Sequence, residues 1–119
     1  MRADKTEDNA TVKLSFEFAL EVIAYCELLE TSRKYVLANQ LLKSGTSIGA
    51  NIREAQNSES KADFVHKFKI AAKEADETEY WLQLCKFSKN YPDCEHLMVR
   101  VEELNRIITA ILSTSKRNQ

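Results

Sequence analysis

A chain of 119 residues is the size of one domain and buries roughly two thirds of the surface it exposes when unfolded. Two Gly and one Pro leave too little turn chemistry for a many-stranded sheet, so helices are the default. No apolar run approaches the roughly 20 residues that cross a bilayer, and the charged start, 1–10, lacks a signal peptide's apolar stretch, which points to the cytoplasm and to no membrane partner.

The net charge of −1 is unevenly spread. Residues 1–32 carry 3 cationic and 7 acidic side chains, residues 33–73 carry 8 and 3, and residues 74–119 carry 6 and 8. The basic middle either complements its acidic neighbours within a bundle or oligomer, or faces phosphate.

In chain order, residues 1–10 are expected to form a polar, partly disordered leader, and helix 1 is expected over 11–30. Val12, Phe16, Ala19, Ile23 and Cys26 recur at helical spacing and are assigned to the core. A second stripe, Leu14, Phe18, Val22, Tyr25 and Leu29, makes the apolar arc wider than one core face requires. Thr31 and Ser32 offer hydroxyl caps for helix 2, expected over 33–57 with Leu37, Leu41, Ile48, Ile52 and Ala55 inward. Gly45 and Gly49, one turn apart, point to a closely approaching neighbour helix, or to a break near Ser44–Thr46.

Ser60 with Asp63 resembles a capping box and starts helix 3, expected over 60–89. Its inward line of Phe64, Phe68, Ala71, Ala75, Thr78, Leu82 and Cys85 is the clearest periodic signal, with Tyr80, Leu84 and Phe87 nearly opposite and Trp81 beside them. Pro92 ends helix 3 and suits the first turn of helix 4, expected over 92–114 with Leu97, Val101, Leu104, Ile108 and Ile111 inward, before a polar tail, 115–119. Four amphipathic helices with short connections give an all-α, antiparallel up-down four-helix bundle.

No constellation of an enzyme emerges. Lys43-Ser44-Gly45-Thr46-Ser47-Ile48-Gly49 lacks the order of a phosphate-binding loop, and two histidines offer little for nucleophilic catalysis. Asp63-x-x-His66 and Asp93-x-x-His96 echo paired metal motifs, but consecutive antiparallel helices begin at opposite ends, roughly 30 Å apart. Cys26, Cys85 and Cys94 are odd in number, form no Cys-x-x-Cys pair, and read as reduced, mostly buried thiols. No catalytic residue, cofactor, metal or small-molecule substrate is therefore expected. The polar line through Ser47, Asn51 and Glu54 is either a solvated face or a helix-packing network.

The run Leu41 to Ala55 carries Ser47, Ile48, Asn51, Ile52 and Glu54 as Ser-Ile-x-x-Asn-Ile-x-Glu, and the pattern continues through Lys61-Ala62-Asp63-Phe64 to Glu74-Ala75-Asp76-Glu77-Thr78-Glu79-Tyr80-Trp81-Leu82. This resembles the bacterial four-helix-bundle proteins first noticed as reading frames in intervening sequences of 23S ribosomal RNA genes. The resemblance implies a bundle that commonly assembles as a homopentamer, of unassigned cellular role. It also implies kinship with the accessory proteins of diversity-generating retroelements, which bind nucleic acid through a strongly basic surface. This chain departs from that branch in its near-neutral charge, and from the family in having Ala55 where Gly is frequent and Tyr35-Val36 where Phe-Pro is.

Two functions follow as expectations. The first is a non-enzymatic homo-oligomeric scaffold or adaptor, with Leu14, Phe18, Tyr25, Tyr80, Trp81, Leu84 and Phe87 as its interface with sister copies. The alternative is RNA or DNA binding through Arg33, Lys34, Lys43, Arg53, Lys61, Lys67 and Lys69.

Overall fold

The computed structural model describes the backbone of residues 5–117 and the side chains of residues 10–116. It holds α1 (Lys5–Thr31), α2 (Tyr35–Ala55), α3 (Lys61–Phe87) and α4 (Glu95–Arg117). Each helix packs on its two sequence or ring neighbours and not on the diagonal one, which makes an antiparallel up-down four-helix bundle 47 Å long and 20 Å across.

Helix α1 begins before the expected start at 11, because its polar first turn carries no apolar period to read. The expected disorder of the leader therefore concerns residues 1–4, outside the described residues. The expected tail is likewise shortened: 115–117 continue α4, and 118–119 lie outside the description.

Helix α2 is continuous through both glycines. A Cβ at Gly45 would stand 2.9 Å and 3.0 Å from the two methyls of Val22, and one at Gly49 would stand 3.3 Å from the Ser15 carbonyl oxygen. The glycines thus let α1 approach, and the break near Ser44–Thr46 does not occur.

That approach decides which stripe of α1 faces inward, and it overturns the expected placement of Phe16 and Ile23, while Cys26 is buried as expected and Val12 packs partly buried against the core. Thr11, Ser15, Phe18, Val22, Tyr25 and Leu29 are buried, whereas Phe16 and Ile23 are exposed. The buried line holds the same heptad-like spacing, but Thr11 and Ser15 hide it from an apolar count. In α3, by contrast, every residue of the expected inward line is buried, as is every residue of the α4 line.

The helices are shorter than expected at several ends, α2 stopping at Ala55 and α3 at Phe87, and two of the expected capping roles differ. Thr31 and Ser32 close α1 and do not cap α2, whose N-cap Lys34 makes no side-chain cap bond. Pro92 precedes α4, its carbonyl held by the Tyr25 hydroxyl at 2.7 Å, which leaves Cys94 to receive the first helical N–H groups. Ser60 caps α3 as read, accepting from the Asp63 N–H at 3.0 Å. The returning bond from Asp63 reaches the Glu59 N–H rather than that of Ser60.

Candidate functional site

The exposed stripe of α1 dominates the surface. Phe16 is 57 % exposed, Leu20 52 % and Ile23 40 %, all near one angle of the helix, and Leu42 of α2 lies partly exposed as well. Between α1 and α2 opens a groove of about 500 Å³ whose walls include Val12, Phe16, Ala19, Gly49 and Ala50, with Lys13 and Arg53 at its edge. Its depth follows from Gly49, which has no side chain, and Ala50, which has only a methyl, where a Leu would fill the space.

A second apolar area lies on α3, where Tyr80 is 54 % and Phe87 80 % exposed. Tyr80 packs against Trp81 with ring centroids 5.2 Å apart, while Trp81 and Leu84 are themselves half-buried. Of the seven residues expected at an interface, Phe18 and Tyr25 are instead core residues, because their stripe is the one that meets Gly45. Leu14 is half-buried against the core. Phe16 and Ile23 carry the surface signal of α1 in their periodicity, although that periodicity assigns them to the core, and Leu20 belongs to neither expected stripe.

The seven basic residues do not form one patch. Arg33 and Lys34 sit at the α1–α2 turn, Lys34 with its ammonium 5.0 Å from the Tyr91 ring centre. Arg53, Lys61 and Lys67 sit at the other end of α2, about 30 Å away along 21 residues. Lys67 pairs with Glu54 at 2.9 Å, and the hydrogen bond to that carboxylate raises the Lys67 ammonium above its ordinary value. Lys43 lies midway, in a cleft with Glu74 and Glu77. Lys69 borders a separate groove of about 370 Å³ between α3 and α4, beside Lys116.

The expected polar network is also redistributed. Asn51 donates to the Ser47 carbonyl at 2.9 Å within its own helix, and Glu54 is exposed and tied to Lys67. A buried bridge between α2 and α3 is made by Ser44 and Thr78, whose hydroxyl oxygens are 2.9 Å apart. Thr78 also lies 2.7 Å from the Glu74 carbonyl. With one proton per hydroxyl, Thr78 donates to that carbonyl and accepts from Ser44.

The three thiols gather near Tyr25 in the core. Burial pushes Cys26 up to about 12 and Cys85 up to about 11, and raises Cys94 as well. Protonated thiols are poor nucleophiles and poor metal ligands. Among the described residues, no group of three or more His, Cys, Asp or Glu is placed to hold a metal ion, and no helix is long and apolar enough to cross a membrane.

A family model described as "23S rRNA-intervening sequence protein" matches residues 7–110. Among solved structures, a protein of unknown function from the S23 ribosomal protein family of Bacteroides thetaiotaomicron VPI-5482 is similar, with a TM-score of 0.83 and 40% identity over 90% of this chain and 98% of that one. No match is found among proteins with curated descriptions.

Proposed function

The chain belongs to the 23S rRNA-intervening sequence protein family, and from that premise we propose that it acts as a non-enzymatic scaffold or adaptor built by self-assembly. The observation that carries this reading is the exposed row Phe16, Leu20 and Ile23 beside the apolar groove on α1 and α2. Large apolar side chains that recur along one helical face mark a surface that a partner covers. The resemblance supplies five as the subunit number. Light scattering coupled to size exclusion should give a mass several times that of one chain at micromolar concentration. Changing Phe16→Glu with Leu20→Glu should reduce it to one chain with helicity intact, and a single-chain mass for the unaltered protein would refute the reading.

A second reading, contact with RNA or DNA, has one observation behind it. The half of the bundle built from 10–18, 48–73 and 107–116 holds seven cationic and four acidic side chains, and the other half holds seven and eleven. Copies assembled in one orientation would line up Arg53, Lys61, Lys67 and Lys69 along one rim. Binding to structured RNA at about 50 mM salt that weakens steeply with added salt is the expected result, and no binding there would dismiss it.

A further inference from the structure

We infer that the outer face of α1 in one copy docks in parallel on the outer face of α3 in the next. This rests on the self-assembly proposed above and adds which two surfaces meet, and in what register.

On α1 the outward residues are Lys13, Phe16, Leu20, Ile23 and Glu27: a cation, an apolar centre and an anion. On α3 they are Asp76, Tyr80, Gln83 and Phe87, followed just past the helix end by Lys89: an anion, a mainly apolar centre and a cation. Both rows advance by steps of three and four, so each holds one side of its helix. Laid in the same direction, Lys13 meets Asp76, Phe16 meets Tyr80, Leu20 meets Gln83, Ile23 meets Phe87, and Glu27 meets Lys89. Laid in opposite directions, Lys13 would face Lys89 and Glu27 would face Asp76, so like charges oppose that arrangement.

A second copy is the occupant because each face carries what the other lacks. An antiparallel contact of α1 with α1 would also match Lys13 to Glu27, but it would leave Tyr80 and Phe87 in water. The α1–α3 contact covers both rows.

The register also gives the assembly its shape. Within one copy, Val22 lies beside Gly45 and Ser44 beside Thr78, so Leu20 is nearly level with Asp76. Docking Leu20 against Gln83 therefore displaces the next copy by about two helical turns, roughly 10 Å, along an axis of bundles 20 Å wide. Tilted bundles accommodate such a step. The α1 row leans toward α2 through the groove that Phe16 shares with Gly49. On α3, Glu74 and Glu77 face α2, whereas the docking row borders Glu79, whose carboxylate accepts from Asn105 of α4. A repeated unlike-face contact of this kind closes into a ring where its rotation divides a full turn and otherwise extends as a filament.

The test uses two full-length variants and their mixture, with helicity followed by circular dichroism. Phe16→Glu with Leu20→Glu disables the α1 face, and Tyr80→Glu with Phe87→Glu disables the α3 face. All four residues are more than half exposed, so both variants should fold. Each alone should run as one chain, and their equimolar mixture should yield a species of twice that mass, because one intact face of each kind remains. Lys13→Glu should likewise reduce assembly and regain it on adding Asp76→Lys. Retained assembly by the α3-face variant alone, or a mixture that stays at one chain while the unaltered protein assembles, overturns this contact and leaves self-assembly standing. A single-chain unaltered protein overturns both.

Discussion

Phe16 and Phe18 are two residues apart and on opposite sides of α1, and their difference is the sharpest consequence of this packing. Phe18→Glu places a carboxylate in the core and should cost roughly 3–5 kcal/mol, whereas Phe16→Glu should leave the stability of one chain within about 0.5 kcal/mol; urea titration distinguishes them. Gly45→Ala sets helix propensity, a gain of about 1 kcal/mol, against overlap with both methyls of Val22. A β-branched side chain cannot rotate both methyls away, so a net loss of about 1–2 kcal/mol is expected, reduced when Val22→Ala is added. Gly49→Ala should cost less, since its nearest contact is 3.3 Å. The core row of α1 was not legible from the sequence because its first members are Thr11 and Ser15, and the close approach of Gly49 to Ser15 is what suits a small residue there.

The buried thiols and Tyr25 make the fold less stable at alkaline pH. Cys26 and Cys85 ionise near 9.0 when free but are pushed up to about 12 and about 11 by burial, and Tyr25 rises from 10.0 for the same reason. The unfolded chain therefore releases protons that the folded chain keeps. The stability these groups contribute is complete below pH 9.0 and is lost as pH climbs through about 11 to 12. Denaturation midpoints followed from pH 8 to 11 should fall above 9, and slow reaction of the native thiols with a disulfide reagent at pH 8 should accompany this.

Among the elements, α3 was the most legible, because Ala71 and Ala75 let α2 and α4 close on it while Phe64, Phe68 and Leu82 supply bulk at unbroken spacing. The family-like row in α2 has a similar account: Ile48 and Ile52 enter the core, and Glu54 ties α2 to Lys67 of α3. Helix ends were less legible because hydroxyls that can cap one helix can equally finish another. The end of α1 shows this: Lys34 donates to the Leu29 carbonyl at 2.7 Å and Arg33 to that of Glu30 at 2.9 Å, with Arg33 at φ 63°. That left-handed position favours glycine, so Arg33→Gly should raise stability by up to about 1 kcal/mol in thermal denaturation. Ser60→Ala should lower it by about 1 kcal/mol through loss of the α3 cap.

For the whole molecule, the surplus apolar surface was legible as an arc too wide for one core, but its location depended on how α1 turned against α2. Once that turn is fixed, Phe16, Leu20 and Ile23 face outward on α1, Tyr80 and Phe87 outward on α3, and charge separates along the long axis. These three features are what the proposed assembly, its proposed direction and the proposed basic rim rest on. Native mass spectrometry of the unaltered protein at tens of micromolar addresses them together. One discrete species at a small integer multiple of the chain mass, five on the family resemblance, is the expected spectrum; a spectrum of single chains alone would contradict it.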